Sequence, residues 1–113
     1  LPPYEGPPVW LHGDLHGANL LVRDGRLAAV IDWGCLGLGD PAYDLMAAWF
    51  LFDPPARDVF RAALAPDDAV WARARALAGS VAMGIIPYYR HTNPGLRTIA
   101  TQTLTRVLAD WRG

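Results

Sequence analysis

The chain has 113 residues, room for one small domain spanning 1–113, and its 52% apolar against 19% charged residues exclude a disordered polypeptide. A formal net charge of −1 argues against a nucleic-acid partner or an anionic membrane surface, either of which needs a basic excess. All 10 basic residues are arginines, so chemistry that needs a lysine must take it from outside this stretch. A single cysteine, Cys35, rules out an internal disulfide framework or a Cys-rich zinc site and suits a reduced, cytoplasmic compartment. The longest charge-free run, Ala76 to Tyr89, has 14 residues and is too short to span a bilayer. No signal-peptide pattern is visible, and the opening Leu1-Pro2-Pro3 suggests that residues precede it.

The Pro-rich residues 1–8 read as an extended lead-in, and Val9-Trp10-Leu11 as a short strand. After a polar loop from His12 to Ala18, the apolar runs 19–22 and 27–31 flank Arg23-Asp24-Gly25-Arg26. An Asp-Gly pair in that setting predicts a β-hairpin. Neither run alternates polar with apolar, so the hairpin is expected to be covered on both faces, with Asn19 opposite Val30. A Gly-rich loop, 34–39, precedes Asp40 as N-cap and Pro41 as the first residue of an all-round apolar helix ending near Phe52. Pro54-Pro55 is expected to stop that helix. Shorter and longer helices follow at about 57–64 and 69–86, and a last one runs from Asn93-Pro94 to about Trp111. Its apolar stripe comprises Leu96, Ala100, Leu104, Val107, Leu108 and Trp111. The fold class is α+β, mostly helical: a small hairpin unit followed by about four helices.

Charge is uneven. Residues 1–44 carry six acids and two arginines, net −4, while residues 45–113 carry five acids and eight arginines, net +3. The acids thus gather where His12-Gly13-Asp14-Leu15-His16-Gly17-Ala18-Asn19 and Ile31-Asp32-Trp33-Gly34 lie. A tight turn at Asp24-Gly25 brings Asn19 and Asp32 to the same open end of the hairpin, with Asp14 in the loop that feeds it. Three oxygen-bearing side chains, without thiolates, suit Mg²⁺, which takes its other ligands from water and substrate phosphates. Asp44, in the first turns of an apolar helix, is expected to be buried and to need several donors; the nearest are backbone N–H groups of the 12–17 loop.

The stretches LHGDLHGANLLV, VIDWG and GDPAYDL resemble the aminoglycoside phosphotransferase/choline kinase superfamily, the small-molecule branch of the protein-kinase-like fold. The resemblance covers at least residues 10–52 and implies the C-terminal lobe of that fold. It implies Asp14 as the catalytic base for an acceptor hydroxyl. Asn19 and Asp32 would hold Mg²⁺ against the phosphates of ATP or another nucleoside triphosphate. His12 would have a mainly structural role, and Asp44 would brace the catalytic loop. Gly17 stands where many members have proline. The phosphate-binding lysine, its glutamate partner and the Gly-rich lid of the N-terminal lobe are not present, so that lobe is an implied partner. The isolated chain is expected to bind Mg-nucleotide weakly, not to turn over, and to self-associate through an exposed apolar interface.

Two other readings differ in kind. Gly13-Asp14-Leu15-His16-Gly17 resembles the metal-ligand loop of metallophosphoesterases, but that chemistry needs two metals and several further His and Asn ligands. A binding module that keeps the kinase fold without activity is the other. A zinc pair from His12 and His16 would need a helix where Gly13 and Gly17 predict a loop. Cys35 is expected to be a small packed residue. Tyr88, Tyr89 and His91, ending a helix, are candidates for the pocket of a small-molecule hydroxyl acceptor, whose identity the sequence leaves open.

Overall fold

The computed structural model describes residues 1–89 and 91–112. In chain order its elements are β1 (Val9–Leu11), β2 (Leu20–Arg23), β3 (Arg26–Val30), β4 (Gly37–Gly39), α1 (Ala42–Leu45), α2 (Ala47–Leu51), α3 (Pro54–Leu64), α4 (Asp68–Tyr88) and α5 (Pro94–Arg112), with a 3₁₀ turn over Gly17–Asn19 leading into β2. This is a small, mostly helical α+β body. Its strands form two antiparallel pairs, β1 with β4 and β2 with β3.

The hairpin forms where Asp24 and Gly25, both at positive φ, allow a tight turn that sets Arg23 opposite Arg26. Its register differs from expectation. An irregularity between Leu21 and Val22 leaves Ala28 unpaired, so Leu20 rather than Asn19 faces Val30. The Ile31 N–H then donates to the Asn19 carbonyl at 2.9 Å. Coverage also differs, because Val22 and Leu27 are 68% and 62% exposed. Their apolar runs were read as two buried faces, but no other element of residues 1–113 packs extensively on them. The Gly-rich loop likewise hides a strand, β4, whose small residues let it lie against β1 in the register Val9–Gly39, Trp10–Leu38 and Leu11–Gly37.

The helical half follows from capping and small residues. Asp53 accepts from the Ala56 N–H and Asp67 from the Val70 N–H, starting α3 and α4. The Pro54-Pro55 pair opens α3 instead of merely ending the preceding helix, since a first-turn proline forfeits no helical hydrogen bond. α1 and α2 are joined through Met46, which keeps helical backbone angles. Fully buried alanines (Ala42 and Ala48 on α1 and α2, Ala74 and Ala78 on α4) let the helices approach closely around Trp49, whose ring lies 4.8 Å from that of Trp71. On α5 the buried face is Ala100, Thr103 and Val107, whereas Leu108 and Trp111 are exposed, Trp111 lying under the Arg75 guanidinium. α4 is long and apolar enough, by length and composition alone, to cross a membrane, although the charge-free run within it is shorter. Here α1 and α5 pack on it, and it carries Arg73 and Arg75.

Two ion-paired clusters tie these elements together. Arg57, on α3 and only 4% exposed, and Arg75 share Asp110 of α5 at 3.5 and 3.7 Å, and the Trp49 indole N–H also points to that carboxylate. Arg73 of α4 donates twice to Asp40, at 2.8 and 3.3 Å, while Asp40 also accepts from the Ala42 N–H at 2.9 Å. Asp40 therefore caps α1, as expected, and moors it to α4.

Burial works against the Asp40 charge, but the hydrogen bonds from Arg73 and Ala42 and the charge of Arg73 together hold its pKa below the ordinary value. A depressed carboxyl pKa stabilises the fold above the unfolded-state value, and that contribution vanishes as pH falls through the folded-state value. Arg73→Met should therefore move acid unfolding to higher pH, followed by tryptophan fluorescence; an unmoved transition would show that the clamp contributes nothing. Trp49→Ala should cost roughly 3–5 kcal/mol in a urea titration, whereas Val22→Thr on the open hairpin should stay within about 0.5 kcal/mol.

Candidate active site

The loop between β1 and β2 has almost no regular structure of its own, so its shape must be imposed. Asp44, half-buried on α1, does this. One carboxylate oxygen accepts from the His12 N–H at 2.8 Å and the other from the Gly13 N–H at 2.9 Å. The donors expected from the sequence are the ones found, and charge-assisted bonds of this kind are the stronger class. Gly13 turns the chain at φ +86°, and a Cβ there would lie 2.6 Å from the Cys35 carbonyl oxygen. Only glycine fits. The Asp32–Leu36 segment is thereby packed against the loop, although Cys35 itself is exposed rather than enclosed.

His12 is buried at 4% exposure and ties the loop to the end of β3. Its Nδ1 accepts from the Asp14 N–H at 3.1 Å, which places the ring proton on Nε2, 2.8 Å from the Ile31 carbonyl. Its ring also meets Trp33 edge-on, with centroids 4.7 Å apart. Neither nitrogen is available to a zinc ion.

Asp14 and Asn19 are brought into direct contact. The Asn19 amide, 5% exposed, donates from Nδ2 to the Asp14 backbone carbonyl at 2.8 Å and to its carboxylate at 3.2 Å. Two oxygen acceptors fix the nitrogen inward and leave Oδ1 without a hydrogen bond among the described residues. Asp32 follows immediately after the Ile31–Asn19 backbone pair, at the same end of the hairpin. It is exposed and sits at φ +59°, a left-handed conformation that aspartate tolerates better than most residues and that recurs at functional sites. Its carboxylate makes no hydrogen bond among the described residues.

In the sequence His16 figures only in the zinc-pair and metallophosphoesterase-loop alternatives. Its Nδ1 lies 3.3 Å from the Ala18 nitrogen, and its Nε2 lies 3.4 Å from Asp14 Oδ1 and 3.2 Å from Asn19 Nδ2. The signal was its position two residues after Asp14, masked by its resemblance to a metal ligand. Arg73, too, had no local signal, because its partner Asp40 lies 33 residues away. Tyr88 is exposed and packs edge-on against Tyr89, while the walls beside Asp14 come from Met46, Phe50, Val81 and Ile85 instead.

The donor types suit a small hard cation: the Asn19 amide oxygen and the Asp32 carboxylate come from the same end of a hairpin, and the Asp14 carboxylate touches Asn19. Among the described residues no group of three or more His, Cys, Asp or Glu side chains is placed to hold a metal ion. Asp44→Asn would turn an amide N–H toward one of the loop N–H groups. It should cost about 1–3 kcal/mol in a denaturant titration and speed hydrogen exchange at His12 and Gly13; unchanged protection there would show that the loop holds itself.

The family model described as the phosphotransferase enzyme family matches residues 1–77. A viomycin phosphotransferase from Streptomyces vinaceus is 51% identical over 41 residues, which cover 33% of this chain and 14% of that protein. The matched stretch is thus a small part of the relative's length. No solved structure matches. Most of the chain, with Asp14, Asn19, Asp32 and Asp44 inside the matched span, fits the family model, and the chain belongs to the phosphotransferase enzyme family.

Proposed function

We propose that residues 1–113 form the catalytic-loop lobe, the C-terminal lobe of a protein-kinase-like fold, of an ATP-dependent enzyme that phosphorylates a small-molecule hydroxyl in the cytoplasm. The observation that carries this reading is the Asp14–Asn19 contact, held by Asp44 and His12, with Asp32 following the Ile31–Asn19 backbone pair at the same end of the hairpin. Asn19 Oδ1 and Asp32 would hold Mg²⁺, which when bound supplies positive charge against the nucleotide phosphates.

Asp14 is the base. Its carboxylate takes the proton of the acceptor hydroxyl as that oxygen bonds to the γ-phosphorus; the bond from phosphorus to the β–γ bridging oxygen breaks, and ADP leaves. His16 Nε2 lies 3.4 Å from Asp14 Oδ1, beside the base. The phosphate-contacting lysine must come from a nucleotide-binding lobe outside this stretch, since all 10 basic residues here are arginines. The exposed apolar side chains of β1, β4 and the hairpin support a docking face for that lobe, and they make self-association of the isolated chain the expected alternative. The viomycin phosphotransferase likeness favours an antibiotic-like acceptor only in a general way, because so little of that protein is matched.

In the full-length protein, Asp14→Asn should lower kcat by roughly 10²- to 10⁴-fold, read by ADP release, with little change in nucleotide affinity. Asp32→Asn should instead weaken Mg²⁺-dependent nucleotide binding, read by titration with and without the ion. Full activity in Asp14→Asn would overturn the base assignment; nucleotide binding without any phosphorylation of a broad acceptor panel would favour a binding module.

A further inference from the structure

Beside the Asp14 carboxylate the fold leaves a cavity of about 120 Å³, and its lining divides by chemistry. Loop residues 13–16 form one edge, with Asp14 and His16 its polar side chains and Leu15 an apolar one. The remaining walls are Met46 and Phe50 from the α1–α2 segment, Val81 and Ile85 from α4, and Leu96 and Ile99 from α5. Ile99 is 41% and Val81 37% exposed, so part of this apolar surface stands open to an incoming molecule.

The acids of the helical half are committed elsewhere. Asp53 and Asp67 cap α3 and α4, Asp68 pairs with Arg61, Asp110 receives Arg57 and Arg75, and Asp58 is exposed on α3. None of them lines the cavity. A molecule with several ammonium groups would therefore lose hydration here and meet one carboxylate, Asp14, already engaged by Asn19 and faced by His16. An apolar face seated on Phe50, Ile85 and Ile99 gains by leaving water.

We infer that the acceptor presents its hydroxyl on an uncharged, predominantly apolar scaffold, with the hydrocarbon next to that hydroxyl seated between the α4 and α5 walls and the oxygen directed to Asp14. The inference rests on the assignment of Asp14 as the base. The cavity is smaller than a whole drug-sized ligand occupies, so it takes one face of the acceptor and leaves the rest outside. Discrimination by such walls is of the order of tenfold or more for each apolar group matched or lost.

The test uses the full-length protein with Mg-ATP, measuring ADP release and phosphorylated product for two acceptor panels. One panel is uncharged cyclic and macrocyclic alcohols of rising apolar area; the other is polycationic amino sugars. The expected result is a kcat/KM at least about tenfold higher for the uncharged panel, rising with apolar area. Ile99→Asp, at a partly exposed position, should move the uncharged-to-cationic ratio toward the cations by about tenfold. That ratio does not depend on how much of the variant is folded, and Val81→Asp gives a second reading from α4. A preference for polycations, or a ratio that neither variant moves, overturns the acceptor class while leaving Asp14-dependent transfer standing. If no acceptor in either panel is phosphorylated in an Asp14-dependent way, the phosphotransferase reading fails, and this inference with it.

Discussion

One carboxylate governs the geometry of this molecule. A loop of seven residues with glycines at 13 and 17 has no intrinsic reason to hold a single shape, and two backbone N–H groups pointing inward would be costly without acceptors. Asp44 accepts both. Because Asp44 stands on a four-residue helix whose start is capped by Asp40 and moored by Arg73, the loop inherits its position from the helical body. His12 then passes that position to the end of the hairpin through the Ile31 carbonyl. Asp14, Asn19 and Asp32 are the downstream products of that chain of constraints.

Much of this was legible in the residues. Asp-Gly gave the hairpin, the Asp-Pro, Asp-Asp and Asn-Pro pairs gave the helix starts, and a lone acid in an apolar helix marked Asp44 as a group that needs donors. What escaped has a common physical cause: it depends on partners distant in sequence. β4 forms only because β1 lies beside it, and three residues of Gly-Leu-Gly carry no strand signal alone. The slip by one residue in the hairpin arises at Ala28, where nothing in the local pattern demands an irregularity. The Arg57–Asp110–Arg75 and Arg73–Asp40 groupings join helices across tens of residues, which periodicity cannot reveal. The exposure of the hairpin escapes for the opposite reason: its sequence is written for a covered element, and no other element among the described residues packs extensively on it.

Backbone at positive φ falls at three places: the hairpin turn at Asp24 and Gly25, the end of α3 at Ala65, and the segments around the candidate site. Gly13 and Asp32 both sit at positive φ, on the two segments that meet at Cys35 and the catalytic loop. Glycine bears this freely, whereas aspartate bears it with some strain, which the surrounding contacts of Trp33 and His12 must offset.

The cavity beside Asp14 has its far side built from α4 and α5 side chains that make no hydrogen bond to the loop among the described residues, and the loop is held from below by α1. On the proposed reading, choosing a molecule and reacting with it would be entrusted to separate parts of the same small body. If that reading holds, mutational drift across Val81, Ile85, Leu96 and Ile99 would retune what is admitted while the grip on Asp14 stays as it was, so a lineage with this architecture would change its diet without relearning its chemistry.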